Sequence, residues 1–140
     1  MRSSAAIASI IGLALLLAGC ASSQQTAPSS APANAISSDP DVNATIERSC
    51  FQCHSSTGSA PWYAAISPTY LGANSAREVL NFSDWQSYDA EKRAAEMRAI
   101  NHSVDSGSMP PGDYTMLDHS ARLADDQKQA LLKWAAQPAH

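Results

Sequence analysis

Apolar positions between Asp39 and Ala136 recur at helical spacing, and no convincing strand pattern interrupts them. Asp39-Pro40 is a helix start, with Asp suited to the N-cap and Pro to the first helical position. Val42, Ile46 and Cys50 then follow at i, i+4 and i+8 on one face. A helix of about ten residues therefore runs into CFQCH, residues 50–54. Ser67-Pro68 opens a second helix by the same logic. It extends to about Leu80, with Tyr70 or Leu71, Ala76, and Val79 or Leu80 as its apolar positions. Asn81 to Trp85 (NFSDW) reads as a turn with a buried aromatic pair. A third helix starts at Asp89, carries Met97, Ile100 and Val104 on one stripe, and ends at Gly107 in the C′ position. A fourth follows Leu123, with Asp125 and Asp126 in its positively polarised first turn and Lys133 near its end. Leu131, Trp134 and Ala135 form its inner stripe. The expectation is an all-α domain of about four short helices, with long irregular loops and no internal repeat.

The N-terminal residues follow a different pattern. Arg2 precedes an apolar run, Ala5 to Ala18, that is too short and too rich in small residues for a good membrane span. It ends in Leu17-Ala18-Gly19-Cys20, which resembles the bacterial lipobox. That resemblance implies a lipoprotein signal peptide over residues 1–19 and lipid on Cys20. Ala21, where an Asp is lacking, leans toward the outer membrane over the inner one. Residues 20–38 are then the lipidated cysteine and a Ser/Ala/Pro-rich tether, and residues 39–140 the folded domain. Such a coil has an end-to-end distance of roughly 25 Å, enough for the domain to stand off a membrane. The expected location is the bacterial cell envelope, facing the periplasm.

Composition narrows the choice. A chain of 140 residues holds one small domain, and its formal net charge of −4 lacks the basic footprint of a nucleic-acid binder. With Cys20 assigned to lipid, Cys50 and Cys53 remain in an oxidising compartment, where free thiols rarely persist. A disulfide, metal ligation and covalent modification are the open fates. C-x-x-C followed directly by His54 points to attachment of a c-type haem. On a helical turn, positions i and i+3 point the same way and i+4 lies beside them, so two thioethers and an axial imidazole share one face. A zinc site would need further ligands at ordered spacing, and His102, His119 and His140 are far apart. A thioredoxin-like dithiol would follow a strand in a βαβ unit.

The second axial position has five candidates: Met97, Met109, Met116, His102 and His119. Met97 lies on the apolar stripe of the third helix and reads as core. His102 is on the same helix off that stripe, and Met116 sits near the end of the 107–120 loop. Met109 stands in GSMPPG, residues 107–112, where Gly107 permits a sharp exit and Pro110-Pro111 stiffen the strap. A stiff loop presents a thioether to iron at small ordering cost, so Met109 is the expected distal ligand.

CxxCH at 50–54, PWY at 61–63, LNFSDW at 80–85, Tyr88, Lys92-Arg93, GSMPP at 107–111, Tyr114, His119, Leu123 and Leu131-Leu132-x-Trp134 occur in order. This run resembles the bacterial haem-binding domain family, over roughly residues 45–136. Ser120, where Pro is expected, and Ala124, where a Ser N-cap is usual, depart from it. The resemblance implies a cytochrome c-like monohaem module with covalent haem on Cys50 and Cys53, His54 as proximal ligand and Met109 as distal ligand. Six-coordinate His/Met iron has no open site for substrate and implies single-electron transfer between extracytoplasmic redox partners. An electron carrier, not a catalyst, is the leading expectation. Five-coordinate haem acting as a gas or peroxide sensor, or as a weak peroxidase, is the alternative. Trp62, Tyr63, Tyr70, Phe82, Trp85 and Trp134 are the expected apolar shell. The acidic balance favours a redox partner with a basic docking patch.

Overall fold

The computed structural model describes residues 35–58 and 61–138. The described residues form seven α-helices with short 3-10 turns and no strand. Helix α1 spans Pro40–Ser49, and Asp39 caps it by accepting from the Asp41 amide at 2.9 Å. Val42 and Ile46 on its inner face are each 1% exposed. The short α2, Phe51–His54, follows after a break at Cys50. The chain before Asp39 already sits on the domain: Asn43 Oδ1 accepts from the amides of Ile36 and Ser37, at 3.1 and 2.9 Å.

The helix expected from Ser67 to Leu80 is two helices, α3 (Pro68–Leu71) and α4 (Ala73–Val79), separated at Gly72. Gly72 caps α3 by donating to Thr69, and its own carbonyl starts α4. Of the alternative inward positions, Leu80 is buried, whereas Leu71 and Val79 are exposed. The NFSDW segment is a 3-10 helix, Phe82–Ser87, with Phe82 and Trp85 both buried. Asn81 caps it through the Ser83 amide at 3.1 Å. Helix α5, Ala90–Asp105, is capped by Asp89 and ends in Gly107 at φ 73°, the left-handed geometry expected there.

The 107–120 stretch is not all loop, because it holds α6, Gly112–Leu117, and a 3-10 turn at His119–Ala121. Helix α7, Asp125–Ala135, has Ala124 at its N-cap. Alanine has no capping oxygen, and Gln127 compensates by accepting from the Ala124 amide at 3.0 Å.

The core lies where α7 packs against α5 and α1. Val42, Ile46, Leu80, Phe82, Trp85, Met97, Val104, Leu131, Trp134 and Ala135 form its main cluster. Trp85 sits between Phe82 and Trp134, at ring separations of 5.9 and 5.8 Å. Burying an aromatic of this size contributes about 3 kcal/mol, so these rings dominate a core this small. Tyr63, Tyr114 and Ala121 form a second, smaller cluster. Trp62 does not join the expected shell: it is 83% exposed. Its neighbour Tyr63 takes the inward position in that turn, leaving Trp62 edge-on against Tyr63 at 5.6 Å.

Candidate functional site

A cavity of about 290 Å³ opens between the Cys50–His54 turn, α4, α5 and the Met109–Pro111 strap. Its wall is mostly aliphatic and aromatic, with Ile46, Leu80, Phe82, Ile100, Val104 and Leu131 among the lining residues. Cys50, Cys53, His54 and Met109 all line it. Met97, His102, His119 and Met116 do not. Met97 is buried in the core, as its stripe position implies, while Met116 is 73% exposed and both histidines face solvent. The region of Cys20 and the apolar N-terminal run lies outside the described residues.

The turn that carries the sulfurs is built from backbone bonds. The amides of Cys53 and His54 both donate to the Cys50 carbonyl, at 3.2 and 2.9 Å. That single turn sets the two side chains and the imidazole on one side. Both thiols are free. Burial pushes Cys50 up to about 12, with the neighbouring Cys53 acting in the same direction, and burial also raises Cys53. Both are therefore neutral thiols at physiological pH.

His54 has a partner that its sequence neighbourhood does not reveal. Its Nδ1 lies 3.1 Å from the carbonyl oxygen of Leu80. The carbonyl can only accept, so Nδ1 carries the hydrogen and the Nε2 lone pair is left for a metal. The loop after His54 is stitched to the same segment, with Ser83 Oγ 3.0 Å from Ser55 Oγ and accepting from the Ser56 amide. Gly58 closes this loop tightly; a Cβ there would stand 2.7 Å from the Phe51 carbonyl.

Met109 reaches the cavity from the strap that follows α5. Its amide and that of Ser108 both donate to the Ser103 carbonyl in the last turn of α5, at 3.1 and 3.0 Å. Two prolines follow, and the Met109–Pro110 peptide is cis. Met109 remains 39% exposed, so its thioether sits at the open rim.

Several lining residues were not anticipated. Ser49 is 4% exposed, and its Oγ has no hydrogen-bond partner among the described residues. Buried hydroxyls are normally satisfied, so an orphan in a cavity wall fits a site that a bound group completes. Tyr114 is 3% exposed and lies tilted against Tyr63 at a ring separation of 6.3 Å, and the Tyr63 hydroxyl donates to Asp118 at 3.3 Å. Burial raises both tyrosines, and the Ser120 hydroxyl holds Asp118 below the usual carboxylate range. Glu96, also in the wall, is 6% exposed. Its position four residues before Ile100 on one helix face was the available signal.

An all-helical domain with two thiols, an imidazole and a thioether on one apolar cavity has the donor chemistry of a haem protein. The chain matches the haem-binding domain family over residues 10–137 and belongs to it. It is a haem-binding protein. No curated protein and no solved structure matches it. The residues present fit the group: Cys50 and Cys53 could carry its edge, His54 and Met109 could take the two axial positions, and the aliphatic wall suits a macrocycle. Among the described residues, no three of His, Cys, Asp and Glu gather into a separate metal site.

Proposed function

We propose that this protein is a monohaem c-type electron carrier, tethered to the cell envelope by lipid on Cys20. The convergence of Cys50, Cys53, His54 and Met109 on one apolar cavity carries this reading. When bound, haem supplies a one-electron ferric/ferrous couple. Cys50 and Cys53 would hold it through thioether bonds to its two vinyl groups. His54 would bind its iron through Nε2, with the ring oriented through Nδ1 by the Leu80 carbonyl. Met109 would supply a thioether to the same iron, which would favour the reduced form. Ile100, Val104, Leu131 and Phe82 exclude water and keep the local dielectric low. Binding of this kind also supplies core to a domain of modest size.

Residues 1–19 act in this reading as a lipoprotein signal, and the following segment as a tether in the periplasm, facing from the outer membrane. The redox partner then docks on an acidic protein through a basic patch.

The test is expression of the full chain in a host that matures c-type haem. Haem that survives denaturing electrophoresis, sharp low-spin ferrous bands and poor carbon monoxide binding are expected. Covalent haem that is high-spin and takes up carbon monoxide readily would instead define a five-coordinate sensor or peroxidase. Cys20→Ser should move the protein from the membrane to the soluble fraction; a protein that stays membrane-bound sinks the tether.

A further inference from the structure

Among the described residues, Glu96 is the one carboxylate in the wall of the cavity. Its side chain is 8% exposed. A carboxylate is costly to bury beside aliphatic groups unless a cation offsets it. Lys92, one turn earlier on α5, supplies that offset by pairing with Glu96. The Lys92 ammonium also donates to the Val79 carbonyl at 3.2 Å and lies 5.4 Å from the Tyr88 ring centre. The bond to Glu96 holds Lys92 above its ordinary range, so the cation persists at neutral pH.

The pair is asymmetric. Lys92 is 44% exposed, so water screens its charge, whereas Glu96 faces the cavity. Field from the carboxylate reaches the cavity through low dielectric and field from the ammonium does not do so equally. Val79, which anchors Lys92, adjoins Leu80, which anchors His54. The ion pair and the proximal imidazole are thus fixed to adjacent peptide units.

We propose that Glu96 is a potential-setting residue, a fixed negative charge in the haem cavity wall that favours ferric over ferrous iron and counteracts the thioether. This rests on the electron-carrier reading. Glu96 touches neither thioether nor axial position in this assignment and acts through its field alone. Lys92 is the positioning residue that holds the carboxylate in place and partly offsets its charge.

The experiment is an optical redox titration of the full chain carrying covalent haem, at pH 8. Glu96→Gln should shift the equilibrium toward ferrous iron by about tenfold, which is about 59 mV for one electron. Lys92→Gln should shift it the opposite way, because the cavity carboxylate then lacks its offset. Glu91→Gln, the same charge change at an exposed position of α5, should move it less than twofold. The proposal is overturned if Glu96→Gln keeps wild-type low-spin bands and a wild-type potential, or if Glu91→Gln shifts it as far. It is also overturned if Lys92→Gln moves the potential in the same direction as Glu96→Gln. A wild-type protein without a reversible one-electron couple overturns the carrier reading itself, a result separate from these.

Discussion

Nδ1 of His54 and the carbonyl oxygen of Leu80 stand 3.1 Å apart, joining the end of α2 to the residue that follows α4. This bond decides which imidazole nitrogen faces the cavity. It also makes the orientation of His54 depend on a stretch of backbone far from it in sequence. That backbone is itself held: the Asn81 amide donates to the Tyr88 hydroxyl at 3.0 Å, and the hydroxyl donates back to the Asn81 carbonyl at 3.2 Å.

Tyr88→Phe removes both of those bonds while keeping the ring that packs on Trp85 at 6.0 Å. The loss leaves backbone groups of a half-buried segment unpaired and should cost about 1–2 kcal/mol. A lower urea midpoint with an unchanged slope is the expected result. In haem-loaded protein the potential should rise, because a loosened carbonyl no longer makes the imidazole more basic. Unchanged midpoint and potential would show that Leu80 needs no such brace.

Met109→Ala tests the distal assignment. The rim position of Met109 means that its removal opens the cavity without disturbing the main core cluster. The expected outcome is covalent haem that has become high-spin, binds carbon monoxide and has a lower potential, since thioether ligation raises it. Folded stability of haem-free protein should change by less than about 1 kcal/mol, as for a half-exposed side chain. Low-spin bands that persist in the variant would assign the sixth position to another group.

Much of the frame is legible in the sequence, and the reasons are local. Asp39-Pro40, Asp89 and Gly107 fix helix ends through capping chemistry that involves only near neighbours. The stripes of α1 and α7 are legible because Val42, Ile46, Leu131 and Trp134 face one shared core. Gly72 was less legible: a single glycine is tolerated in a helix, and only packing decides whether the chain breaks there. The α6 turn was hidden among prolines and polar residues, with its stability coming from Tyr114 burial and a side-chain link from Thr69 to Asp113. For the site, spacing alone carries Cys50, Cys53 and His54 to one turn. The Leu80 carbonyl and the Ser49 hydroxyl enter through tertiary placement that no local pattern encodes, whereas Glu96 is marked locally only by its place one turn before Ile100.

Trp62 and Trp134 make a paired test of that placement. Trp134 is 7% exposed and packs on Trp85, so Trp134→Ala should cost about 3–5 kcal/mol. Trp62 lies almost wholly in solvent, and Trp62→Ala should stay within about 0.5 kcal/mol. Calorimetric midpoints of the two variants give the comparison. A large loss from Trp62→Ala would mean that this residue packs inward after all.

Gly58→Ala and Gly107→Ala probe two different needs for glycine. At Gly58 a methyl would meet backbone, at 2.7 Å from the Phe51 carbonyl and 3.0 Å from that of Gln52. At Gly107 nothing stands within 4 Å, and the cost is the positive φ alone. The second should therefore cost about 1 kcal/mol, a conformational penalty. The first should cost more, because the turn behind His54 must open. Proteolysis would detect that opening as faster cleavage near residues 55–58 in the Gly58 variant only. Equal, small effects on stability and no new cleavage would show that the loop yields without cost.

Asp118 gives the pH dependence. The Ser120 hydroxyl, the Ser120 amide, the Tyr63 hydroxyl and the Ala121 amide hold its carboxyl below the ordinary range, against a smaller opposing effect of burial. A depressed folded value means that the unfolded chain binds the proton more readily. Stability from this group is then fully present above the unfolded carboxylate range, near pH 4, and is lost as pH falls through the lower folded value. Asp118→Asn removes that contribution, so melting temperature should fall less steeply between pH 5 and pH 2 than in wild-type protein. Asp113 is also held low, by Thr69, so part of the acid slope should remain. The double variant with Asp113→Asn should flatten the slope further. Above pH 6 the single variant should be less stable than wild type, because the charged acceptor at Ser120 and Tyr63 has become a neutral amide. Parallel acid limbs in wild type and Asp118→Asn would remove Asp118 from the linkage and leave the tyrosine cluster without its anchoring charge.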